Sequence, residues 1–135
     1  ALAGESIIVT GRVEDVRPWL ARATVFVCPL RLGAGIKNKV LEALAMGCPL
    51  VATPLSVDGI AVTPEHDGLI AGDQSLAEST VRLLRNADLQ RRLSQNGRRL
   101  IEARYSWPHV AAMYQTLYEE VARINSSSTA KTRWS

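Results

Sequence analysis

Metal, disulfide and membrane chemistry have little to work with in this chain. It carries 2 cysteines and 2 histidines in 135 residues. Cys28 and Cys48 lie too far apart in sequence for the close ligand pairs of zinc sites, and neither His66 nor His109 has a metal-ligand spacing. No metal is expected, the cysteines read as reduced and buried, and each histidine reads as a structural or surface group. Aromatic residues make up 5% of the chain, which leaves few stacking platforms for nucleic acid. There is no run of about 18 uncharged apolar residues of the kind that crosses a bilayer. The start of the chain shows no basic region followed by an apolar core, the mark of a secretory signal. The expected location is therefore the cytoplasm.

What is present suits one globular domain. A length of 135 residues allows a core of its own, and a hydrophobic content of 47% is ordinary. The most informative stretch runs from Arg31 to Thr53. It opens on Gly33 and Gly35, which permit backbone angles and close approaches that a side chain would block. Apolar residues then fall at Val40, Leu41, Leu44 and Ala45, a helical stripe, and Gly47 with Pro49 ends it. The helix is expected to start between Gly35 and Asn38. Its first turn offers unpaired N–H groups and the positive end of the dipole, and Lys37 and Lys39 add full charges there. Lysines at a helix start oppose the dipole by about 0.3–1 kcal/mol, so an anion such as phosphate supplies a reason for them. A plain turn with solvated lysines, Lys39 pairing with Glu42 one turn on, is the alternative. The loop is not a Walker A motif, because one residue separates Gly33 from Gly35. It is not the dinucleotide fingerprint either, because Asn38 stands where that motif has its third glycine.

The segment Gly-Ala-Gly-Ile-Lys-Asn-Lys-Val-Leu-Glu-Ala-Leu-Ala-Met-Gly-Cys-Pro-Leu-Val-Ala-Thr resembles the signature of group 1 glycosyltransferases of the GT-B fold. The resemblance extends upstream through Val-Thr-Gly-Arg-Val-Glu-Asp to Val-Phe-Val-Cys-Pro, and downstream through Glu-His-Asp-Gly-Leu-Ile to Tyr105-Ser106-Trp107, covering residues 7 to about 121. It implies transfer of a sugar from a nucleotide diphosphate donor to an acceptor hydroxyl, and a chain that is the truncated carboxy-terminal, donor-binding half of such an enzyme. No cofactor is implied; the nucleotide sugar is a substrate. The acceptor site would come from an amino-terminal domain, and the fragment alone would be inactive. In that family two glutamates often bracket the donor, the second holding the ribose. Glu42 matches the second, and Ala34 stands where the first would be. The implied donor-binding set is Glu42, Lys37, Gly33, Gly35, Val40, Leu41, Gly11 and Arg12, with no catalytic residue identified. A GT-B-related epimerase and a non-catalytic nucleotide-binding or interaction module are the other functional readings, the second encouraged by Ala34.

Along the chain, strand and helix alternate, giving the fold class α/β: a Rossmann-like parallel sheet flanked by helices, over residues 1–124. The first strand is read at Ser6–Thr10, and Asp15 as the N-cap of a helix to Ala23 with Trp19 and Leu20 facing inward. Strands follow at Thr24–Cys28 and Pro49–Thr53, the latter apolar through its middle as a strand covered on both faces should be. A short strand at Leu69–Ile70 precedes helices at Ser75–Asn86, Asp88–Arg104 and from Trp107 to about Ile124, with Trp107 in the core or packed on a helix. The small, polar stretch 125–135 reads as a disordered tail. In such sheets ligands sit beyond the carboxyl ends of the strands, where Gly11–Arg12, Arg31–Lys37 and Thr53–Gly59 would converge. For Gly11–Arg12 and for Asp58–Gly59 a plain turn is the competing reading.

The net charge is +3, yet Arg82, Arg85, Arg91, Arg92, Arg98, Arg99 and Arg104 crowd two helices. A solvated face is the default explanation. Attraction to an anionic surface at the inner face of the membrane is the sharper one. Glu78, Asp88 and Glu102 interrupt the patch, which argues against nucleic acid.

Overall fold

The computed structural model describes Gly4 and residues 6–129. Its heart is a three-stranded parallel sheet in the order β1 (Phe26–Cys28), β2 (Leu50–Ala52), β3 (Leu69–Ile70). Phe26 pairs with Leu50 and Cys28 with Ala52, while Val51 pairs with Leu69. Parallel strands need crossover connections, and here they are supplied by α2 (Asn38–Ala45) and by the turns that follow β2. Helices α1 (Arg17–Arg22), α3 (Leu76–Leu84), α4 (Ala87–Arg104) and α5 (Trp107–Thr129) complete the described chain. This is the expected α/β class.

Strand alternation divides the core between the two faces of the sheet. Leu50 and Ala52 point to one side, where Cys28, Val40, Leu44 and Ile60 join them. Val51 points to the other, against Leu69, Leu83, Leu89 and Leu93. Every residue of β2 is thus fully buried, which is why its sequence is uninterruptedly apolar. Each such side chain contributes about 1.5–3 kcal/mol through burial. The two helices that hold these faces are well ended. Asn86 caps α4, its Oδ1 accepting from the N–H of Leu89 at 2.9 Å, and Gly47 closes α2 at φ 69°. Cys28 and Cys48 are buried and unbridged, and burial pushes the Cys48 thiol up.

Several sequence expectations fail in informative ways. Ser6–Thr10 is not a buried strand: Ile8 is 79% exposed, and the pairing is one isolated bridge between Gly4 and Ile7. No described strand offers this β-branched run a ladder to join. In the stripe of α2, Ala43 is buried beside Val40 and Leu44, whereas Ala45 faces solvent. Val16, not Asp15, is the N-cap of α1, although the Asp15 carboxylate still accepts from the Arg17 N–H at 2.9 Å. Trp19 is half exposed, and Trp107 is 86% exposed, because α1 and α5 have little packed against those faces. Residues 126–129 continue α5 rather than forming a loose tail; residues 130–135 lie outside the described part.

Candidate functional site

The loop between β1 and α2 is built from backbone that only glycine accommodates well. Gly33 has φ 132° and Gly35 φ 73°, both in the region where a Cβ is disfavoured. A methyl at Gly35 would meet nothing within 4 Å, so the glycine serves conformation and not packing. Residues 31–36 are all exposed. From Arg31 to Lys39, no backbone N–H finds an acceptor among the described residues. A consecutive row of free donors therefore leads into the positive end of α2.

Lys37 sits at the centre of this arrangement. It is the N-cap of α2, yet its side chain accepts nothing from the helix. Instead the stem folds back over Gly33, and the ammonium donates to the carbonyl of Gly35. The residue is only 8% exposed, and no carboxylate pairs with it among the described residues. A nearly buried ammonium without a counter-charge is costly, and a bound anion would offset that cost. Lys39 is exposed and forms no ion pair with Glu42; the local pair offered as the alternative is absent. Glu42 is exposed on α2, and its carboxylate has no hydrogen-bond or ion-pair partner among the described residues.

Five contacts fix the loop. Leu30 donates its N–H to Ser56 Oγ at 3.2 Å and accepts from Thr53 Oγ1 at 2.7 Å. Arg31 Nε pairs with Asp73 Oδ2 at 2.9 Å, Ile36 packs against Gly59, and Lys37 closes the far end. The expected meeting of Arg31–Lys37 with Thr53–Gly59 is therefore observed. Gly11 adopts φ 62° and Arg12 is exposed, but no hydrogen bond or ion pair of the described residues joins either to the loop. Val40 is fully buried and its N–H is spent on the Lys37 carbonyl at 2.8 Å. Its side chain lies in the core and half-buried Leu41 packs against the same cluster, so neither is offered to a ligand as a polar contact. The sequence places Thr53 and Ser56 in the candidate stretch Thr53–Gly59 without giving either a role, and Asp73 is outside every candidate element. The signal was faint: a threonine at a strand end with a serine three residues on.

Elsewhere, ion pairs thin the arginine cluster. Arg82 grips Glu65 through two bonds of 2.8 Å, Arg91 pairs with Asp88, and Arg98 pairs with Glu102 at 2.9 Å. Among the described residues Arg85, Arg99 and Arg104 form no such ion pair, and Arg92 acts on Glu65 only through its charge. His66 Nδ1 lies 2.7 Å from the buried Asp67 carboxylate, a local turn contact. No group of three or more His, Cys, Asp or Glu that could hold a metal occurs among the described residues. No described helix is long and apolar enough to cross a membrane.

The sequence profile described as "Glycosyl transferases group 1" matches residues 1–86. The chain is 33% identical over 127 residues to the phosphatidyl-myo-inositol mannosyltransferase of Mycobacterium leprae, covering 90% of this chain and 34% of that protein. It is 31% identical over 119 residues to the alpha-maltose-1-phosphate synthase of Mycolicibacterium smegmatis, covering 81% of this chain and 30% of that one. Among solved structures, the C-terminal domain of the group 1 glycosyl transferase LpcC from Francisella tularensis matches with a TM-score of 0.65 at 22% identity, over 72% of this chain and 52% of that chain. Sucrose-phosphate synthase from Thermosynechococcus elongatus matches with a TM-score of 0.67 at 26% identity, over 81% of this chain and 28% of that chain. The chain spans about a third of the length of these sequence relatives, 34% and 30%.

Proposed function

The chain belongs to the group 1 glycosyl transferases, and from that premise we propose that it forms the donor-binding half of an enzyme that transfers a sugar from a nucleotide diphosphate to an acceptor hydroxyl. The observation that carries this reading is the row of free N–H groups from Arg31 to Lys39, with the Lys37 ammonium folded over the loop and unpaired with any carboxylate. Such a surface suits a diphosphate, which brings dispersed negative charge to fixed donors.

In this reading the diphosphate lies along Gly33–Lys37, and Glu42 on the exposed side of α2 holds the ribose. Charge grows on the leaving phosphate as the sugar–oxygen bond breaks. Preorganised N–H groups and the Lys37 ammonium stabilise that charge more in the transition state than in the ground state. Glu42 anchors and does not react. The acceptor site and any catalytic base belong to an amino-terminal domain, so this chain alone binds donor weakly and turns over nothing. Arg85, Arg99 and Arg104, without ion pairs among the described residues, support a peripheral position on an anionic membrane surface, which would suit a lipid-linked acceptor.

The test is the melting temperature of the chain with UDP, GDP and ADP and their sugar conjugates, beside Glu42→Ala. Saturation at roughly 100 times the dissociation constant adds about 2.7 kcal/mol, a rise of several degrees. A selective rise lost in Glu42→Ala is expected. A full-length enzyme that also shows no shift with any nucleotide rejects the donor site and leaves the interaction-module reading that Ala34 favours.

A further inference from the structure

We infer that Thr53 and Ser56 are positioning residues that shape the Arg31–Lys37 loop for its anionic ligand by holding the Leu30 peptide groups between two buried hydroxyls. The inference rests on the donor-site reading above for the ligand, but its geometry stands independently of it.

Thr53 follows β2 and is 4% exposed; Ser56 lies in the short 3-10 turn Pro54–Val57 and is fully buried. Neither hydroxyl is in contact with solvent, so both must find partners inside the protein. They find them across the ends of two strands, more than twenty residues away in sequence. Ser56 Oγ accepts from the Leu30 N–H at 3.2 Å and reaches the Cys28 carbonyl at 2.6 Å. Thr53 Oγ1 reaches the Leu30 carbonyl at 2.7 Å, and the two hydroxyl oxygens are 2.8 Å apart. Both peptide groups of Leu30 are therefore held, on the residue that directly precedes the loop.

Proton bookkeeping assigns each hydroxyl its part. Two hydroxyl protons face three oxygens: the Cys28 carbonyl, the Leu30 carbonyl and the neighbouring hydroxyl. The Cys28 carbonyl has a second donor, the Thr53 N–H at 3.2 Å. The Leu30 carbonyl has no other donor among the described residues. The Thr53 proton accordingly belongs to Leu30, and the Ser56 proton is the one shared between Cys28 and Thr53 Oγ1. Losing the Thr53 hydroxyl leaves the half-buried Leu30 carbonyl unpaired at the root of the loop, and losing that of Ser56 leaves the Leu30 N–H without its acceptor while Cys28 is still served by the Thr53 N–H. Loop residues 31–36 are exposed, with no backbone N–H bonded to another described residue, so their shape depends on where they are rooted. The other anchor on this side, Arg31 with Asp73, is a surface pair and holds weakly.

The test uses the full-length polypeptide with Thr53→Val, which keeps the shape and removes the hydroxyl, Thr53→Ser, which restores it, and Ser56→Ala. Two quantities are read: the rate of tryptic nicking after Arg31 without nucleotide, and KM and kcat for the donor. Thr53→Val is expected to nick about tenfold faster after Arg31, as loss of one buried hydrogen bond allows. It should also raise donor KM by about tenfold with kcat changed less than about twofold. Thr53→Ser should restore both, and Ser56→Ala, which leaves the Leu30 N–H without its acceptor, should nick faster as well. Unchanged nicking in Thr53→Val, or a Thr53→Ser that behaves like it, overturns the inference, since packing alone would then hold the loop. Faster nicking with donor KM unchanged overturns it as well. A parent that binds no nucleotide fails the donor reading instead, and with it the ligand named here.

Discussion

Gly97 on α4 lies so close to Leu44 on α2 that a Cβ at 97 would stand 2.6 Å from Leu44 Cδ2 and 3.3 Å from the Asp67 carbonyl. The contact joins the helix that carries the candidate site to the longest helix of the core. Leu44 is only 1% exposed, so its methyl has nowhere to retreat.

Gly97→Ala should therefore destabilise the protein, although alanine is the better helix former by about 1 kcal/mol. Overpacking costs about 1–3 kcal/mol, which outweighs that gain and should lower the melting temperature by several degrees. The double variant Gly97→Ala with Leu44→Val makes room for the methyl. It should recover part of the loss, and a double variant worse than the sum of its parts would show that the close approach is not the cause.

Lys37→Met should separate ligand binding from stability. The variant keeps the stem that covers Gly33 and removes an ammonium that has no carboxylate partner. The unliganded melting temperature should stay level or rise, since an uncompensated, nearly buried charge is unfavourable. The nucleotide-induced rise should shrink, with affinity falling by about 10–100-fold for loss of a charge-assisted phosphate contact. A variant that melts lower but binds nucleotide as well as the parent would make Lys37 a structural residue.

The Glu65–Arg82 pair should give stability a small acid dependence. Glu65 adopts φ 63°, a left-handed angle for a non-glycine residue, and both ends of its carboxylate are gripped by the Arg82 guanidinium. The hydrogen bonds from Arg82, with its charge, hold the Glu65 carboxyl below the ordinary 4.5. A depressed carboxyl contributes stability above its unfolded value and loses it as the pH falls through the folded one. Both side chains are about half exposed, so the effect is modest and salt-sensitive. Melting curves of the parent and Arg82→Leu should differ at neutral pH and converge in acid, once the pH has fallen below the depressed Glu65 value; a gap that persists beyond that point would indicate packing by the arginine stem.

How far the sequence reveals all this depends on the distance over which each feature is decided. The α2 stripe through Val40 and Leu44 and the buried β2 are local patterns, and both are legible. The left-handed glycines of the loop are legible for the same reason. Ile7, Ile8 and Val9 have the composition of a buried strand but are exposed, because burial requires a neighbour that composition cannot supply. Trp107 fails on the same ground. The hydroxyls of Thr53 and Ser56 are invisible in sequence, since their partners lie 23 to 28 residues away and become partners only when β1 and β2 pair. Lys37 shows both sides: its place at the helix mouth is legible, but the burial of its side chain over Gly33 is not.

The two loop glycines should differ in their tolerance, although a methyl at either would meet open space or one ordinary contact. At Gly35, φ 73° is near the left-handed helical well, which asparagine and aspartate reach at modest cost. Gly33, at φ 132°, lies well outside that well, where essentially only glycine is at ease. Among the described residues the only atom near a Cβ at Gly33 is Lys37 Cε at 3.8 Å, an ordinary contact, so sterics against neighbours cannot rank the pair. Gly35→Asn should thus keep most of the nucleotide response, with the melting temperature little changed. Gly33→Asn should lose it, because a backbone cost of about 1–3 kcal/mol will be relieved by moving an exposed loop and not by unfolding the core. The expected result at Gly33 is a near-parental melting temperature without nucleotide and no rise with it. Equal responses at the two positions would mean that the loop adopts another shape when it binds, and that its free N–H groups are not preset for the anion.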